Sequence, residues 1–312
     1  MSRWSAALTE AGITDPRLRR AYEIQRGFVR KFALHEYIAV RLLLPARLHP
    51  PVVAAVAYMH ATDELIDAGD VGARRTALRA WDAETTVALE SATPPDRSLV
   101  LSLWDTTRRH PFMAARVRAF LDGAEIEASW TGFDTEDDFQ EYVSRYSLPG
   151  LMLTASLVAP LPEADLDEPF VRGCRALIEG WQRSDFLADL SEDVERGRIG
   201  IPRDALNRHG LTFEDLRSTS QACGPAIEDL VREQSDRAEA ALSECRTLPT
   251  LVGPEYRPFL QALIEVQELR LHAVRRASGR LLTEAAGPAG PASLRVLHRQ
   301  YRAARKQRRQ AR

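Results

Sequence analysis

Apolar side chains recur at steps of three and four residues along most of this chain. The clearest example runs through Val171, Cys174, Leu177 and Trp181, and the same spacing returns over residues 260–274. Such spacing places the apolar side chains on one face of an α-helix. Convincing alternation of β-branched residues, which would indicate strands, is absent from the sequence. The pattern therefore predicts an all-α protein.

Proline and glycine divide the helical pattern into segments. The segments between these breaks are about 20 to 30 residues long, a length typical of helices that cross a domain. We expect a bundle of about eight long helices or more over residues 1–282, then a Gly/Pro linker and a basic tail over residues 283–312. The breaks fall at 45–51, 93–95, 160–162, 197–202, 253–254 and 287–291.

Composition excludes several classes of protein. Of 312 residues, 45% are hydrophobic and 28% are charged, which is ordinary for a globular protein. The net charge of −2 gives no global attraction to nucleic acid. The sequence has neither a run of 18 apolar residues nor a signal-peptide pattern at its N-terminus, so we expect a cytoplasmic protein. Cys174, Cys223 and Cys245 lack metal-ligand spacing, and we expect reduced cysteines, two of them in the core.

The last residues differ in charge from the rest of the chain. From Leu294 onward the sequence carries eight Arg or Lys residues and no acid. Such a segment is either a solvated terminal helix or one that binds nucleic acid or anionic lipid, the latter as a peripheral membrane contact.

Two pairs of aspartates carry the most specific chemistry. Asp63 and Asp67 are four residues apart, as are Asp189 and Asp193, and the two pairs are separated by 126 positions. On a helix, residues i and i+4 share one face, so each pair brings two carboxylates together. Two such charges 4 Å apart repel by roughly 4 kcal/mol at an effective dielectric constant near 20. A bound Mg²⁺ would relieve this repulsion, and protein-bound Mg²⁺ commonly also holds a substrate phosphate. We therefore predict an enzyme that acts on a diphosphate.

Four segments resemble the squalene and phytoene synthase family. Residues 182–202 resemble its second aspartate-rich motif, QxxNxxRDxxEDxxxGRxYxP, and residues 58–67 resemble its first, ARxxDDxxD. Residues 42–45 match its LLP segment, and residues 120–142 resemble its G…D…Y stretch. The resemblance covers roughly residues 30–280 and rests mainly on the two aspartate-rich motifs.

The resemblance implies a single-domain isoprenoid synthase fold, which is a helical bundle around a central cavity. It implies a prenyltransferase (EC 2.5.1 type) that ionises an allylic prenyl diphosphate with three Mg²⁺ ions, so that a carbon nucleophile captures the carbocation. Aromatic side chains are candidates to stabilise that cation: Trp104, Phe112, Phe120, Trp130, Tyr142, Tyr146, Trp181 and Phe186. The implied metal ligands are Asp63, Glu64, Asp67, Asp185, Asp189 and Asp193, and the implied diphosphate-binding residues are Gln182, Arg196 and Arg198.

Several positions depart from the family pattern. His60 and Ala188 stand where the family has arginine, and Gly200 stands where it has tyrosine. Glu36 lies in the stretch where the family carries a basic SR or SK pair, and Asp185 replaces an asparagine. These changes weaken the basic site that would bind a second diphosphate, because each lost charge-assisted contact costs roughly 1.5–3 kcal/mol.

We hypothesise that the enzyme binds one prenyl diphosphate and an uncharged aromatic acceptor. A phytoene-synthase-like branch of the family prenylates carbazole-type acceptors of this kind in secondary metabolism.

This hypothesis assigns catalytic roles near the acceptor. His35, Glu36 or His60 would orient the acceptor or accept its proton, and Tyr142 and Tyr146 complete the catalytic set. Three alternatives stay open: head-to-head condensation of two prenyl diphosphates to presqualene diphosphate, squalene or phytoene; a terpene cyclase; and an inactive helical protein that binds partners or membranes.

Overall fold

Helices follow the predicted apolar spacing throughout the computed structural model, which describes residues 3–159, 168–218, 224–288 and 290–310. No β-strand occurs in these ranges, and the all-α prediction is confirmed. The predicted break at 160–162 lies outside them. The helices are α1 (Arg3–Glu10), α2 (Pro16–Phe32), α3 (Leu34–Leu43), α4 (His49–Asp67), α5 (Val71–Glu90), α6 (Ser98–Arg109), α7 (Phe112–Ser129), α8 (Glu136–Tyr142), α9 (Leu148–Ala155), α10 (Pro169–Ala188), α11 (Leu190–Glu195), α12 (Arg203–Arg208), α13 (Phe213–Ser218), α14 (Gly224–Glu244), α15 (Arg257–Ala277) and α16 (Gly290–Gln310).

The two inner helices of the bundle carry the acidic motifs. Helix α4 packs against α2, α5, α6 and α9, and most of its residues from His49 to Tyr58 are buried. A helix that is apolar on all sides is buried on all sides. Helix α10 packs against α9, α14 and α15. Since α4 ends at Asp67 and α10 ends just before Asp189, both motifs lie at C-terminal ends of inner helices.

The prediction of long helices is wrong for the segment after the second motif. Helices α11, α12 and α13 have only six residues each. Gly197 and Gly210 adopt positive φ angles of 78° and 67°, and Pro202 precedes α12. Gly197 and Gly210 follow α11 and α12 after one intervening residue, and a left-handed residue at this position ends a helix.

A π-helical turn, Val143–Ser147, joins α8 to α9. Pro149 follows it and has no N–H group, so the α-helical hydrogen-bond ladder is interrupted here. Gly123 on α7 lies against this turn, and a Cβ atom at this position would lie 1.8 Å from the Arg145 carbonyl oxygen. The absence of a side chain at Gly123 therefore lets α7 approach the backbone of the turn directly.

The basic C-terminal segment forms helix α16, which packs on α3 and α15. Val296 and Leu297 are buried in one cluster with Leu43 and Ala262. The division of the chain at residue 282 stays a prediction.

Cys174 and Cys245 are buried free cysteines, as expected, and Cys223 lies outside the described residues. Among the described residues, none of the helices combines the length and the hydropathy needed to cross a membrane.

Candidate active site

The first acidic pair is held at the end of α4 by a tyrosine. The Tyr146 hydroxyl donates a hydrogen bond to Asp63 Oδ1 at 2.5 Å. Burial raises the pKa of Asp63 to about 7; the Tyr146 hydrogen bond opposes this increase, while the charges of Asp67 and Glu127 add to it. Asp67, by contrast, is exposed. The first pair therefore has one carboxylate fixed within the protein and one directed towards solvent.

The second acidic pair spans an interruption between two helices. Asp189 lies between α10 and α11, with φ −99° and ψ 11°, so the expectation that both aspartates lie on one helix is wrong. The Asp193 N–H still donates to the Asp189 carbonyl at 3.0 Å, which keeps the residues one turn apart. Burial raises the pKa of Asp193 to about 6, and the charge of Asp189 raises it further. Burial also raises the pKa of Asp189.

Arg198 links the two acidic motifs. Gly197, in the left-handed region, reverses the chain after α11, and the Arg198 N–H then donates to the Asp193 carbonyl at 3.1 Å. This reversal brings Arg198 Nη2 to 3.8 Å from Asp67 Oδ1. Its guanidinium carbon lies 5.2 Å from the Trp130 ring centroid. Arg198 is thus placed where an anion bound between the motifs would lie.

Arg196 and Gln182 each contact a neighbouring side chain. Arg196 is exposed and forms an ion pair with Glu192 at 3.3 Å. Gln182 Oε1 accepts a hydrogen bond from Ser147 Oγ at 3.3 Å, which ties α10 to the π-helical turn.

A buried carboxylate that the sequence analysis did not identify belongs to this site. The Tyr142 hydroxyl donates to Glu127 Oε2 at 2.7 Å. Burial raises the pKa of Glu127; the Tyr142 hydrogen bond lowers it, the charge of Asp67 raises it, and the charges of Arg198 and Arg74 lower it. Glu127 has no acidic partner at helical spacing, and its only signal in the sequence is its position in the G…D…Y stretch. Tyr142–Glu127 and Tyr146–Asp63 are two phenol–carboxylate pairs, with ring centroids 5.4 Å apart.

An aromatic wall borders these pairs; we define it as Trp130, Phe133, Tyr142 and Phe186. The Trp130 and Phe186 rings stack with centroids 5.5 Å apart. A Cβ atom on Gly200 would lie 1.9 Å from Phe186 Cγ. The Phe186 ring therefore fills the space into which a side chain at position 200 would project, which explains how the wall stays packed without the family's tyrosine.

His60 has both an aromatic and an acidic neighbour. Its ring stacks on Phe32 with centroids 3.5 Å apart and an interplanar angle of 20°. Its Nε2 atom lies 3.4 Å from Glu64 Oε1, and the Glu64 side chain is exposed. His60 therefore presents a flat polar-aromatic surface three residues before Asp63.

The remaining candidates are His35, Glu36, Asp185 and Trp104. His35 and Glu36 are exposed in the first turn of α3. Asp185, one turn before Asp189, forms an ion pair with Arg270 of α15. The Trp104 indole N–H donates to the Ser91 carbonyl at 3.1 Å.

The two acidic pairs fit Mg²⁺ by their chemistry. Their oxygen atoms are the ligands that Mg²⁺ prefers. The first pair and Asp189 lie at the C-terminal ends of α4 and α10, where the helix dipole is negative and a cation is stabilising. Among the described residues, no group of three or more His, Cys, Asp or Glu side chains lies close enough to hold one ion.

The chain is similar in sequence to named proteins from bacteria. The chain is 31% identical over 277 residues to the bifunctional protein CrtB/UppS of Streptomyces coelicolor, with 88% of this chain and 47% of that protein covered. It is 29% identical to the phytoene synthase of Mycobacterium tuberculosis, with 71% of this chain and 70% of that enzyme covered. The chain thus spans about half the length of the Streptomyces protein.

Two solved structures share the fold. The squalene synthase HpnC of Alicyclobacillus acidocaldarius superposes with a TM-score of 0.74 at 24% identity, covering 86% of this chain and 98% of that one. A dehydrosqualene synthase in complex with a ligand superposes with a TM-score of 0.78 at 20% identity, covering 93% of this chain and 98% of that one. The fold is therefore that of the all-α isoprenoid synthases. A family model described as squalene/phytoene synthase matches residues 33–303, and the chain belongs to this family, whose members are prenyltransferases.

Proposed function

We propose that this chain is a Mg²⁺-dependent prenyltransferase that uses one allylic prenyl diphosphate and an uncharged aromatic acceptor. The choice of one diphosphate rests on a single observation, the aromatic contact of the residue that precedes the first motif. Arg196 and Arg198 follow the second motif, and Arg198 also reaches Asp67 at 3.8 Å, whereas the first motif is preceded by His60, which stacks on Phe32. One side of the site thus suits an anion and the other suits a neutral ring.

The residues of the second motif would bind the leaving group. Arg198, and Arg196 after release from Glu192, would donate charge-assisted hydrogen bonds to diphosphate oxygens, each contributing roughly 1.5–3 kcal/mol. Mg²⁺ held by Asp63, Asp67, Asp189 and Asp193 would neutralise the departing charge as a Lewis acid. We propose three ions, as the resemblance implies, with Glu64 and Asp185 as further candidate ligands. Enzymes of the family act on prenyl diphosphates and generally depend on Mg²⁺.

The aromatic wall would protect the carbocation. Trp130, Tyr142 and Phe186 are packed against one another and border the buried carboxylate of Glu127. Aromatic faces stabilise a cation electrostatically, and a packed wall keeps out the water that would convert it to an alcohol.

The acceptor would lie on the side of the first motif. His60, paired with Glu64, offers a ring nitrogen as a general base and a ring face for stacking. The exposed His35 and Glu36 at the start of α3 would orient the acceptor from the opposite edge.

A second candidate function is head-to-head condensation of two prenyl diphosphates. It is favoured by the names of the relatives, several of which are phytoene synthases, and by the squalene and dehydrosqualene synthases of the same fold.

Product analysis separates these candidates. Purified protein would be incubated with Mg²⁺ and geranyl, farnesyl or geranylgeranyl diphosphate, with and without an indole or carbazole, and products identified by mass spectrometry. We expect an adduct with one prenyl group that forms only when the acceptor is present. Presqualene diphosphate or a C30 to C40 hydrocarbon without acceptor would instead establish the head-to-head reaction, and a cyclised hydrocarbon from one diphosphate would establish a terpene cyclase.

We also propose a peripheral membrane contact through α16. Its exposed residues include Leu294, Arg295, Arg302, Arg305 and Lys306, while its opposite face packs on the bundle. A basic helix with an exposed leucine suits an anionic bilayer, at about 1 kcal/mol per basic residue near the surface. Co-sedimentation with vesicles containing phosphatidylserine, compared with neutral vesicles, tests this contact.

A further inference from the structure

Arg74 is a buried arginine in the first half of α5. Its side chain is 6% exposed, and its Nε atom is buried without a hydrogen-bond partner. Within the residues that the structure describes, the Arg74 guanidinium takes part in no hydrogen bond or ion pair. A charge taken out of water is costly unless an opposite charge and hydrogen bonds compensate it. Arg74 therefore carries an uncompensated positive charge inside the ligand-free protein.

The packing of α5 on α4 places Arg74 at the level of the first acidic motif. The two helices are joined by only three residues, 68–70, and so run antiparallel. Their register is fixed by Trp81 Nε1, which donates to Thr62 Oγ1 at 2.8 Å. Arg74 lies seven residues before Trp81 on the same buried face of α5, which is about two turns. Two turns beyond Thr62 lead to the C-terminal end of α4, next to Asp67.

The packing of α5 on α7 leads to the same level independently. Arg75 of α5 forms an ion pair with Glu125 of α7 at 2.5 Å on the surface of the bundle. Arg74 and Glu127 are the buried residues next to this pair, and the Glu127 carboxylate accepts its hydrogen bond from Tyr142. The charge of Arg74 lowers the pKa of Glu127, which agrees with this placement. Two contacts on different helices thus bring Arg74 to the candidate active site.

We propose that Arg74 is a further diphosphate-binding residue, which donates to phosphate oxygens of the prenyl substrate from α5 while Arg198 donates from the second motif. Arg198 reaches the same end of α4, where its Nη2 atom lies 3.8 Å from Asp67 Oδ1. A diphosphate between the motifs would then be flanked by two guanidinium groups, whose planar donors suit phosphate oxygens. This inference rests on the proposed function in one respect, that a diphosphate binds between the two motifs. His60 stacks on Phe32 of α2, so the proposed acceptor side borders a different neighbour of α4.

An uncompensated cation should have opposite effects on stability and on binding. Arg74→Met keeps most of the length of the side chain and removes its charge. Without ligands, this variant should unfold at a higher urea concentration than the wild type, because an unpaired buried charge has been removed. The same variant should bind inorganic diphosphate about 10- to 100-fold more weakly, because a charge-assisted contact has been lost. A residue that only supports the fold would instead lower the urea midpoint.

Two measurements without turnover test this pair of effects. Inorganic diphosphate would be titrated into each protein at saturating Mg²⁺ and followed by isothermal titration calorimetry, and urea denaturation of the ligand-free proteins would be followed by circular dichroism. The matched control is Arg75→Met, which removes the adjacent surface arginine and its ion pair with Glu125. The control should bind diphosphate as the wild type does. Arg74→Lys keeps the charge but lacks the planar fork of donors, and it should bind with intermediate affinity.

Three results would overturn the role of Arg74. The first is an unchanged diphosphate affinity in R74M. The second is a lower urea midpoint in R74M, which would mean that Arg74 is compensated within the ligand-free protein. The third is an equal loss of affinity in R75M, which would reflect only the lost positive charge.

Failure of the proposed function gives a different pattern. A wild-type protein that binds no diphosphate at saturating Mg²⁺ would reject both the proposed function and the role of Arg74. Tight binding by the wild type together with unchanged affinity in R74M would reject Arg74 alone and leave the proposed function standing. Weaker binding and higher stability in R74M, together with head-to-head products from the wild type, would reject the neutral acceptor and uphold Arg74.

Discussion

The two acidic motifs have the same spacing in the sequence, but they are built differently. At the end of α4, Asp63 is held by the Tyr146 hydroxyl inside a helix that is packed on all sides. At the end of α10, Asp189 interrupts the helix and is exposed, and the chain then turns at Gly197 to bring Arg198 back. The first motif is therefore a preformed carboxylate site, whereas the second combines carboxylates with the cations that would bind the substrate. We infer that the first motif fixes the metal and that the second couples the metal to the diphosphate.

The largest effect should come from removing a carboxylate of either motif. Asp63→Asn and Asp189→Asn should each lower Mg²⁺-dependent release of diphosphate by about 100-fold or more, since Lewis-acid stabilisation is worth several kcal/mol. Asp122→Asn, on the exposed surface of α7, is the matched control and should retain activity. A colorimetric diphosphate assay measures both. Full activity in either motif variant would contradict the site.

The next effect should distinguish the two arginines of the second motif. Arg198 reaches Asp67 and Trp130, whereas Arg196 is exposed and paired with Glu192. Arg198→Met should therefore weaken binding of the prenyl diphosphate by about 10- to 100-fold, corresponding to one charge-assisted contact. Arg196→Met should weaken it less. Equal effects on KM would show that both arginines contact the diphosphate to the same degree.

A smaller effect should show how the first motif depends on its tyrosine. Tyr146→Phe removes the donor to Asp63 without changing the ring, and loss of such an outer partner typically costs about 10- to 100-fold in metal affinity or activity. The Mg²⁺ concentration at half-maximal activity should rise. Tyr142→Phe is the comparison, since its partner Glu127 lies outside both motifs, and it should leave this concentration nearly unchanged. If this Mg²⁺ concentration rises more in Tyr142→Phe than in Tyr146→Phe, Glu127 and not Asp63 belongs among the metal ligands.

The smallest effect concerns packing of the aromatic wall. A Cβ atom at Gly200 would overlap the Phe186 ring, so Gly200→Ala should lower the free energy of unfolding by about 1–3 kcal/mol. Combined with Phe186→Leu, the loss should be smaller than the sum of the two single losses, because these residues share one space. Gly27→Ala on α2 meets nothing within 4 Å and should be neutral or stabilising by about 0.5–1 kcal/mol. Urea denaturation measures all four variants, and additive losses would contradict a shared space for the side chains at positions 186 and 200.

The sequence predicts the helices and the acidic pairs because both depend on local spacing. Apolar steps of three and four residues indicate α10 and α15, and the i, i+4 aspartates stand out without any structure. Residues that act through tertiary contacts could not be found in this way. Glu127 is a lone acid on α7 until folding brings Tyr142 to it.

Arg270 is a basic residue that the sequence could not identify for the same reason. It is one of 40 arginines, and only the packing of α15 against α3 and α10 pairs it with Asp185. The space filled by Phe186 opposite Gly200 likewise depends on two segments 14 residues apart meeting in the fold.

One measurement tests directly whether the two motifs form one site. Diphosphate release from the preferred allylic substrate would be compared in the wild type, Asp63→Asn, Asp189→Asn and the double variant at saturating Mg²⁺. Residues that act as a unit are strongly non-additive. We predict that the double variant loses about as much activity as the more impaired single variant. Losses that multiply would mean that the motifs act independently and would contradict a shared metal–diphosphate site.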